Sequence, residues 1–426
     1  MSLRRSVYSL LLYLIFPIVL FRLYWQGRLN PAYRQRVFER LGFVKNDSSK
    51  PILWVHAVSV GETIAAKPFI EGLINDYPNY RVLVTTTTPT GSDRVKSLFG
   101  ERVAHVYFPY DLPDIIARFL KRISPQALII VETEIWPNLY AACARRELPL
   151  LIINARLSKK STQGYKKISG LMAETLACVD LIAVRSNQDK ENFSSLGASE
   201  RQLEVVGNIK FDFMLDQTLV KKGLVWKQQW GNNRKVWVAA STHQGEDEII
   251  LEIHKLLLTQ FPELLLVVVP RHPERFGQVF ALCETYSHTK RHSQIGHVGF
   301  KGFKGELILG DSMGEMQSWF AAADVVFIGG SLVEIGGHNP LEAIAQGKPV
   351  VSGSHMFNFS DVVPDLKKRG LLNSFEDIDE LTQKLIQLFE HPEQGFLEKT
   401  QQIMQQNQGV SARLLALFSQ ISGLKV

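Results

Sequence analysis

At 426 residues, 45% of them hydrophobic, the chain is too long for one ordinary domain and suits two of roughly 200 residues each. Its formal net charge of +6 is lopsided. Nine Lys or Arg against two acidic residues put +7 on the first fifty positions and leave the other 376 at −1, which excludes the basic stripe over folded domains that a nucleic-acid binder shows. Three scattered cysteines, Cys143, Cys178 and Cys283, lack metal or redox spacing; they exclude a disulfide framework and read as reduced thiols of a cytosol-facing protein.

The chain begins MSLRRSVYSLLLYLIFPIVLFRLYW, with sixteen uncharged residues between Arg5 and Arg22. No small-residue cleavage site follows the apolar core, so this is not a cleaved signal peptide. Sixteen residues are short for a span, although Trp25 and a snorkelling Arg22 extend it. The following RLNPAYRQRVFER is basic and aromatic, as suits anionic headgroups. The sequence predicts an N-terminal membrane anchor, either spanning once or lying in the interface, with the body on the cytoplasmic side.

From residue 50, short apolar strands alternate with amphipathic runs: ILWVHAV (52–58), RVLVTTTT (81–88), VAHVYFP (103–109), ALIIVETE (127–134), LLIINA (150–155), DLIAVRS (180–186) and LEVVG (203–207). This βαβ alternation predicts a parallel, doubly wound sheet. The first strand raises a question, because WVHAVSVGET breaks at Gly61 and leaves Glu62 at the strand-to-helix junction. Open α/β sheets place ligands at that carboxyl edge, yet an acid at a helix start also complements the helix dipole. Both readings stand on the sequence alone.

Residues 211–234 lapse into a polar, irregular stretch. A second series follows: KVWVAAS (235–241), ELLLVVVP (263–270), ELILG (306–310), DVVFIGG (324–330) and KPVVSG (348–353), separated by helical patterns. The predicted organisation is an anchor with its basic juxtamembrane segment at 1–30, a Rossmann-like domain at 31–211, a linker at 212–234, and a second Rossmann-like domain with terminal helices at 235–426. Ligands belong where the carboxyl edges of both sheets converge on a central cleft.

GGHNPLEAIAQGKPV (336–350) is the most informative stretch of the second half. Its glycines permit close backbone approach, Pro340 suits a first helical turn and Glu342 projects from that turn, where it can accept from ribose hydroxyls. Exposed N–H groups at such a start can hold a phosphate. VPRHPERF (269–276) places Arg271 and His272 at a strand end, and an arginine there can clamp a phosphate or carboxylate. GDSMGEM (310–316) and ASTHQGEDE (240–248) are similar turns, with Ser241 or Thr242 as donors to phosphate oxygens. No Walker loop or G-x-G-x-x-G follows the first strand, which sets aside ATP hydrolysis and NAD. No D-x-D pair ends a strand, so no bridging metal is required. His56, His243, His272, His338 and His355 are too dispersed for a zinc site.

Taken in order, HAVSVGE, VETEIWPN, NARLS, GNIKFD, PRHPERF, GDSMGE and GGHNPLE resemble the Kdo transferases of lipopolysaccharide assembly. Those enzymes move 3-deoxy-D-manno-octulosonic acid (Kdo) from CMP-Kdo to a lipid A precursor. The resemblance runs from the anchor to about residue 360. It implies the B-type glycosyltransferase fold, inversion at the anomeric carbon, no metal and no cofactor besides the donor substrate. It also implies a place at the bacterial inner membrane, with the catalytic domains cytoplasmic and inner-membrane lipids as partners. By position, Glu62 would be the general base, and Glu132 and Lys210 the transition-state stabilisers. Pro270 and Arg271, then Met313, Gly314 and Glu315, then Asn339, Pro340, Leu341 and Glu342 would contact CMP. Glu134 rivals Glu132, since on an extended strand both point to one face. Other readings are another B-type nucleotide-sugar transferase or epimerase, and an inactive membrane-tethered glycolipid-binding protein.

Overall fold

Runs such as ILWVH and ALIIV are apolar on both strand faces, and a strand of that kind is stable only when helices cover both sides of its sheet. The computed structural model, which describes residues 2–46, 48–231, 233–295, 306–360, 362–391 and 395–424, shows two such sheets, each of seven parallel strands. The chain divides into two compact units, Met1–Phe213 with Asn407–Val426, and Met214–Gln406.

In the first unit β1 (Ile52–His56), β2 (Arg81–Thr86), β3 (Ala104–Tyr107), β4 (Pro125–Val131), β5 (Leu150–Ala155), β6 (Leu181–Val184) and β7 (Leu203–Val205) lie in the order β3-β2-β1-β4-β5-β6-β7. Alternate residues of β1 feed two cores. Ile52 and Trp54 pack with Phe119, Ile130 and Tyr140, whereas Leu53 and Val55 pack with Phe69, Ile129 and Phe418. In the second unit β8 (Val236–Thr242), β9 (Leu265–Pro270), β10 (Thr289–Arg291), β11 (Leu307–Leu309), β12 (Val325–Ile328), β13 (Val350–Gly353) and β14 (Leu372–Phe375) lie in the order β10-β11-β9-β8-β12-β13-β14. The doubly wound halves match the expectation from sequence, and β10 and β14 are additions to it.

Two boundaries differ from the sequence reading. The stretch read as an irregular linker is helical over Gln217–Trp230 and belongs to the second unit. Leu219, Gly223, Trp226 and Trp230 make a helical stripe broken up by lysines. Gly223 lies so close to the helix Met316–Ala322 that a Cβ there would sit 2.0 Å from the Ser318 carbonyl oxygen. The last helix, Val410–Ser422, was grouped with the second half but packs on the first unit. Val410, Leu414 and Phe418 enter its core, Phe418 edge-on to Tyr77. Asp212 receives the amides of Gly409 and Ser411, fixing the return.

The N-terminal helix α1 (Leu3–Leu29) is long and apolar enough to cross a membrane by length and composition. One side is polar and docked. Tyr8 donates to Asp111 at 3.1 Å, Ser9 to Asn138 Oδ1 at 2.9 Å, Tyr13 to Asp114 at 2.5 Å, and Arg4 pairs with Glu174 at 2.9 Å. The other side exposes Leu3, Val7, Leu10, Leu14, Ile18, Phe21 and Trp25 at helical spacing. Short helix α2 (Val37–Arg40) follows.

Candidate active site

Each sheet reverses its strand order once, between β1 and β4 in the first unit and between β8 and β12 in the second. A crevice opens outside the carboxyl ends of the strands at such a point.

In the first unit, Glu62 and Glu132 follow the two strands that flank this point. Ser59 caps helix α3 (Val60–Ala65), and Glu62 folds back over that turn. Its Oε2 accepts from the Val58 amide at 2.5 Å and its Oε1 from Ser59 Oγ at 3.2 Å, leaving each oxygen a further lone pair. The carboxylate thus closes a helix start and also sits at the ligand edge. Burial, and then the charge of Glu132, push its pKa up to about 8, against the lowering effect of the Val58 and Ser59 bonds.

Glu132 takes a left-handed backbone, φ +63°, while its amide still donates to the Ile153 carbonyl at 2.8 Å. A non-glycine residue held there stores on the order of 1 kcal/mol or more of strain. The strand therefore ends at Val131, and the alternation argument that put Glu132 and Glu134 on one extended face does not apply. The loop brings both acids near Glu62 by another route. Thr133 Oγ1 accepts from the Arg156 amide at 3.0 Å, and Tyr140 donates to the Glu134 carbonyl at 2.5 Å. Burial, then Glu132, raise the Glu134 carboxyl to about 7.

Lys210 arrives from the far edge of the sheet. After β7 the chain doubles back, and Asn154 at the end of β5 accepts the Ile209 amide at 3.2 Å. Lys210 Nζ then lies 3.6 Å from Glu132 Oε1, with both side chains mostly sheltered at 13% and 25% exposure.

In the second unit the four polar turns follow β11, β9, β8 and β12, which are contiguous in the sheet. Pro270 ends β9 buried, and the Arg271 amide bonds the Thr242 carbonyl at 3.0 Å. The Arg271 guanidinium makes no hydrogen bond or ion pair among the described residues, whereas Arg275 is committed to Asp247 and the Thr242 carbonyl. His243 and His338 face each other across the reversal point, Nε2 to Nε2 at 2.8 Å, with His272 edge-on to His243. Burial, and then neighbouring positive or imidazole groups, lower His243 to about 4 and His338 to about 3.

Met313 is exposed and Gly314 has φ +82°. The Glu315 carboxylate is occupied by Lys222, Ser312 and His292, so its backbone is the part left to meet a ligand. Asn339 Oδ1 caps the Leu341 amide at 3.0 Å, behind buried Pro340. Glu342 accepts from Asn339 at 3.4 Å and from Gln317 at 3.1 Å, which ties the turn after β12 to the start of the helix Met316–Ala322. Thr242, named as a phosphate donor, is fully buried and gives its hydroxyl to Asp247.

One residue escaped the motif reading. Glu246 is fully buried and accepts the amides of His243, Gly330, Ser331 and Leu332, so it builds the glycine turn after β12. The signal in ASTHQGEDE was the acid itself, indistinguishable from its exposed neighbour Glu248. Among the described residues no group of three His, Cys, Asp or Glu side chains is arranged to hold a metal ion.

Two parallel sheets with ligand edges of this kind define the B-type glycosyltransferase class. Residues 234–408 match the family "Glycosyl transferases group 1". The chain overlays UDP-GlcNAc 2-epimerase from Neisseria meningitidis over 87% of its length and all of that chain, at TM-score 0.52 and 14% identity, a likeness of fold alone.

Residues 35–213 match the family "3-Deoxy-D-manno-octulosonic-acid transferase (kdotransferase)". The 3-deoxy-D-manno-octulosonic acid transferase of Haemophilus influenzae is 40% identical over 97% of this chain and 98% of that protein. The C-terminal CMP-Kdo binding domain of WaaA from Acinetobacter baumannii is 33% identical, covers 47% of this chain and 99% of that one, and overlays at TM-score 0.40. The chain belongs to the 3-deoxy-D-manno-octulosonic acid transferase family.

Proposed function

We propose that this transferase moves Kdo from CMP-Kdo to a tetra-acylated lipid A precursor at the cytoplasmic face of a bacterial inner membrane, with inversion and without a metal. Glu62 is the general base. It takes the proton of an acceptor hydroxyl as that oxygen bonds to C2 of Kdo, while the C2–O bond to phosphate breaks and its electron pair leaves with CMP. The observation that carries this reading is the setting of Glu62: a carboxylate at the sheet reversal whose basicity is raised by burial and by Glu132. A phosphate is a good leaving group, so base help to the alcohol matters more than acid help to the donor. Lys210, close to Glu132, supplies the local positive charge that steadies the transition state.

The second unit's edge supplies the donor site. Uncommitted Arg271 suits the phosphate or carboxylate of CMP-Kdo, and Met313–Glu315 with Asn339–Glu342 line the nucleotide. The anchor reading sharpens as well. With one side of residues 2–16 docked along the body, only thirteen residues of α1 extend beyond it, about 20 Å of helix. That is short of the ~30 Å hydrocarbon core. We therefore read α1 as lying in the membrane interface on its exposed apolar side. In membrane fractionation, a chain lacking residues 1–25 then leaves the membrane, and unchanged partition would refute the anchor.

Mass spectrometry of products from CMP-Kdo and a tetra-acylated lipid A precursor tests the reaction. Wild type adds Kdo mass; Glu62→Ala yields no product while still binding CMP-Kdo. Substantial transfer by Glu62→Ala removes Glu62 from the role of base.

A further inference from the structure

The segment between the anchor and the first strand holds a cation that is costly to keep where it is. Arg40, at the end of α2, is only 5% exposed. Among the described residues no carboxylate lies within ion-pair distance of it, Glu39 acting only as the weakest of several through-space attractions, and its Nε is buried without a hydrogen-bond partner. Burial lowers its pKa from the ordinary arginine value. What it touches is the Tyr107 ring, at 4.1 Å from guanidinium carbon to centroid, and one carbonyl, that of Thr87, at 2.9 Å from Nη2. A buried guanidinium with so little compensation costs the fold stability, so its presence here points to a role other than stability.

What lies beyond Thr87 supplies that purpose. The Thr87 amide and hydroxyl both donate to the Val58 carbonyl, at 3.2 and 3.1 Å. The Val58 amide in turn donates to Glu62 Oε2 at 2.5 Å. Arg40, Thr87, Val58 and Glu62 therefore form one unbroken line of hydrogen bonds. The line runs from the juxtamembrane segment, through the loop after β2, to the carboxylate after β1. Neighbouring bonds keep the segment itself in place: Tyr110 donates its amide to the Arg40 carbonyl at 2.9 Å, and Glu39 accepts the Tyr107 amide at 2.9 Å.

We propose that Arg40 and Thr87 are positioning residues for the reaction: they hold the Val58 amide against Glu62 and so set the orientation and basicity of its carboxylate. This rests on the reading of Glu62 as the base. The Val58 amide favours the ionised carboxylate, whereas Glu132 and Glu134, facing Glu62 from the loop after β4, oppose it. Lys210 stands beside Glu132 and tempers that opposition. Loosening the Val58 bond removes a restraint on the base and leaves the acidic repulsion in place, so the pH at which Glu62 ionises rises.

The test uses the full-length protein with CMP-Kdo and lipid A precursor. Thr87→Val keeps the shape and deletes the hydroxyl donor, and Thr87→Ser keeps the donor. Arg40→Met removes the buried charge at similar volume. Thr87→Val is expected to lower kcat roughly fivefold, the worth of one ordinary hydrogen bond expressed as a rate. It also moves the acidic limb of the kcat/KM–pH profile upward, with KM for CMP-Kdo unchanged. Thr87→Ser restores the limb, and Arg40→Met shifts it in the same direction as Thr87→Val. A Thr87→Val limb that coincides with wild type, while Glu62→Gln is inactive, overturns the positioning role alone. An active Glu62→Gln overturns the reading of the base and this role with it.

Discussion

The two strand-order reversals share a topology and carry opposite chemistry. At the first, Glu62, Glu132 and Glu134 crowd one edge, and burial followed by the charge of Glu132 pushes two carboxyls up into the neutral range. At the second, burial first and then the gathering of His243, His338, His272 and Arg271 push two imidazoles down. The sheets are built alike, so this contrast comes from the few residues after each strand. An edge of mutually repelling acids stores basicity. An edge that keeps its imidazoles neutral beside the charged Arg271 guanidinium suits an anion.

Three perturbations bear on this contrast. The largest effect belongs to Glu246→Ala, which strips four buried amides of their acceptor. It should cost about 3 kcal/mol or more, seen as an early unfolding step of the second unit in thermal denaturation, with loss of CMP binding. Denaturation coinciding with wild type would show that the glycine turn stands without it. Next, Arg271→Ala should weaken CMP binding by roughly 10- to 100-fold in calorimetry, the worth of a charge-assisted phosphate contact, leaving thermal stability nearly unchanged.

The smallest effect is on stability at the acidic edge. The Glu62 carboxyl rises from 4.5 to about 8 on folding, so the folded chain binds this proton more tightly than the unfolded one. The penalty is therefore absent below pH 4.5, grows as pH rises, and is complete above about 8. Glu62→Gln should therefore be inactive yet melt a few degrees higher than wild type at pH 8.5, a gain on the order of 2 kcal/mol, and match it near pH 4. Equal melting temperatures at both values would mean that neither burial nor Glu132 burdens the Glu62 carboxylate.

Much of this was legible in the chain. Strands such as LLIINA announce themselves because β-branched runs buried on both faces suit little else. The turns after them could be placed at one edge because parallel strands all end on the same side. What escaped depended on partners distant in sequence. Thr289–Arg291 is three residues long and polar but for its place beside β11. The helix Gln217–Trp230 looked irregular because its stripe is made of two tryptophans, a leucine and a glycine rather than an aliphatic series. Glu246, Asn138 and Arg40 look like surface residues until their acceptors and donors arrive from other elements. Glu132 and Glu134 were paired for the wrong reason: a left-handed residue, not strand alternation, turns the loop that carries both.

The docked side of α1 has a mechanical consequence. Tyr8 and Ser9 are latched to Asp111 and Asn138, and Asn138 opens the helix that follows the Glu132–Trp136 loop. A leash lets its cargo swivel, but a keel does not. Riveted in this way, the first unit meets any surface that α1 enters at one fixed tilt and one fixed height. For the proposed lipid acceptor, acyl-chain length and headgroup size would then be distances measured against a rigid rule.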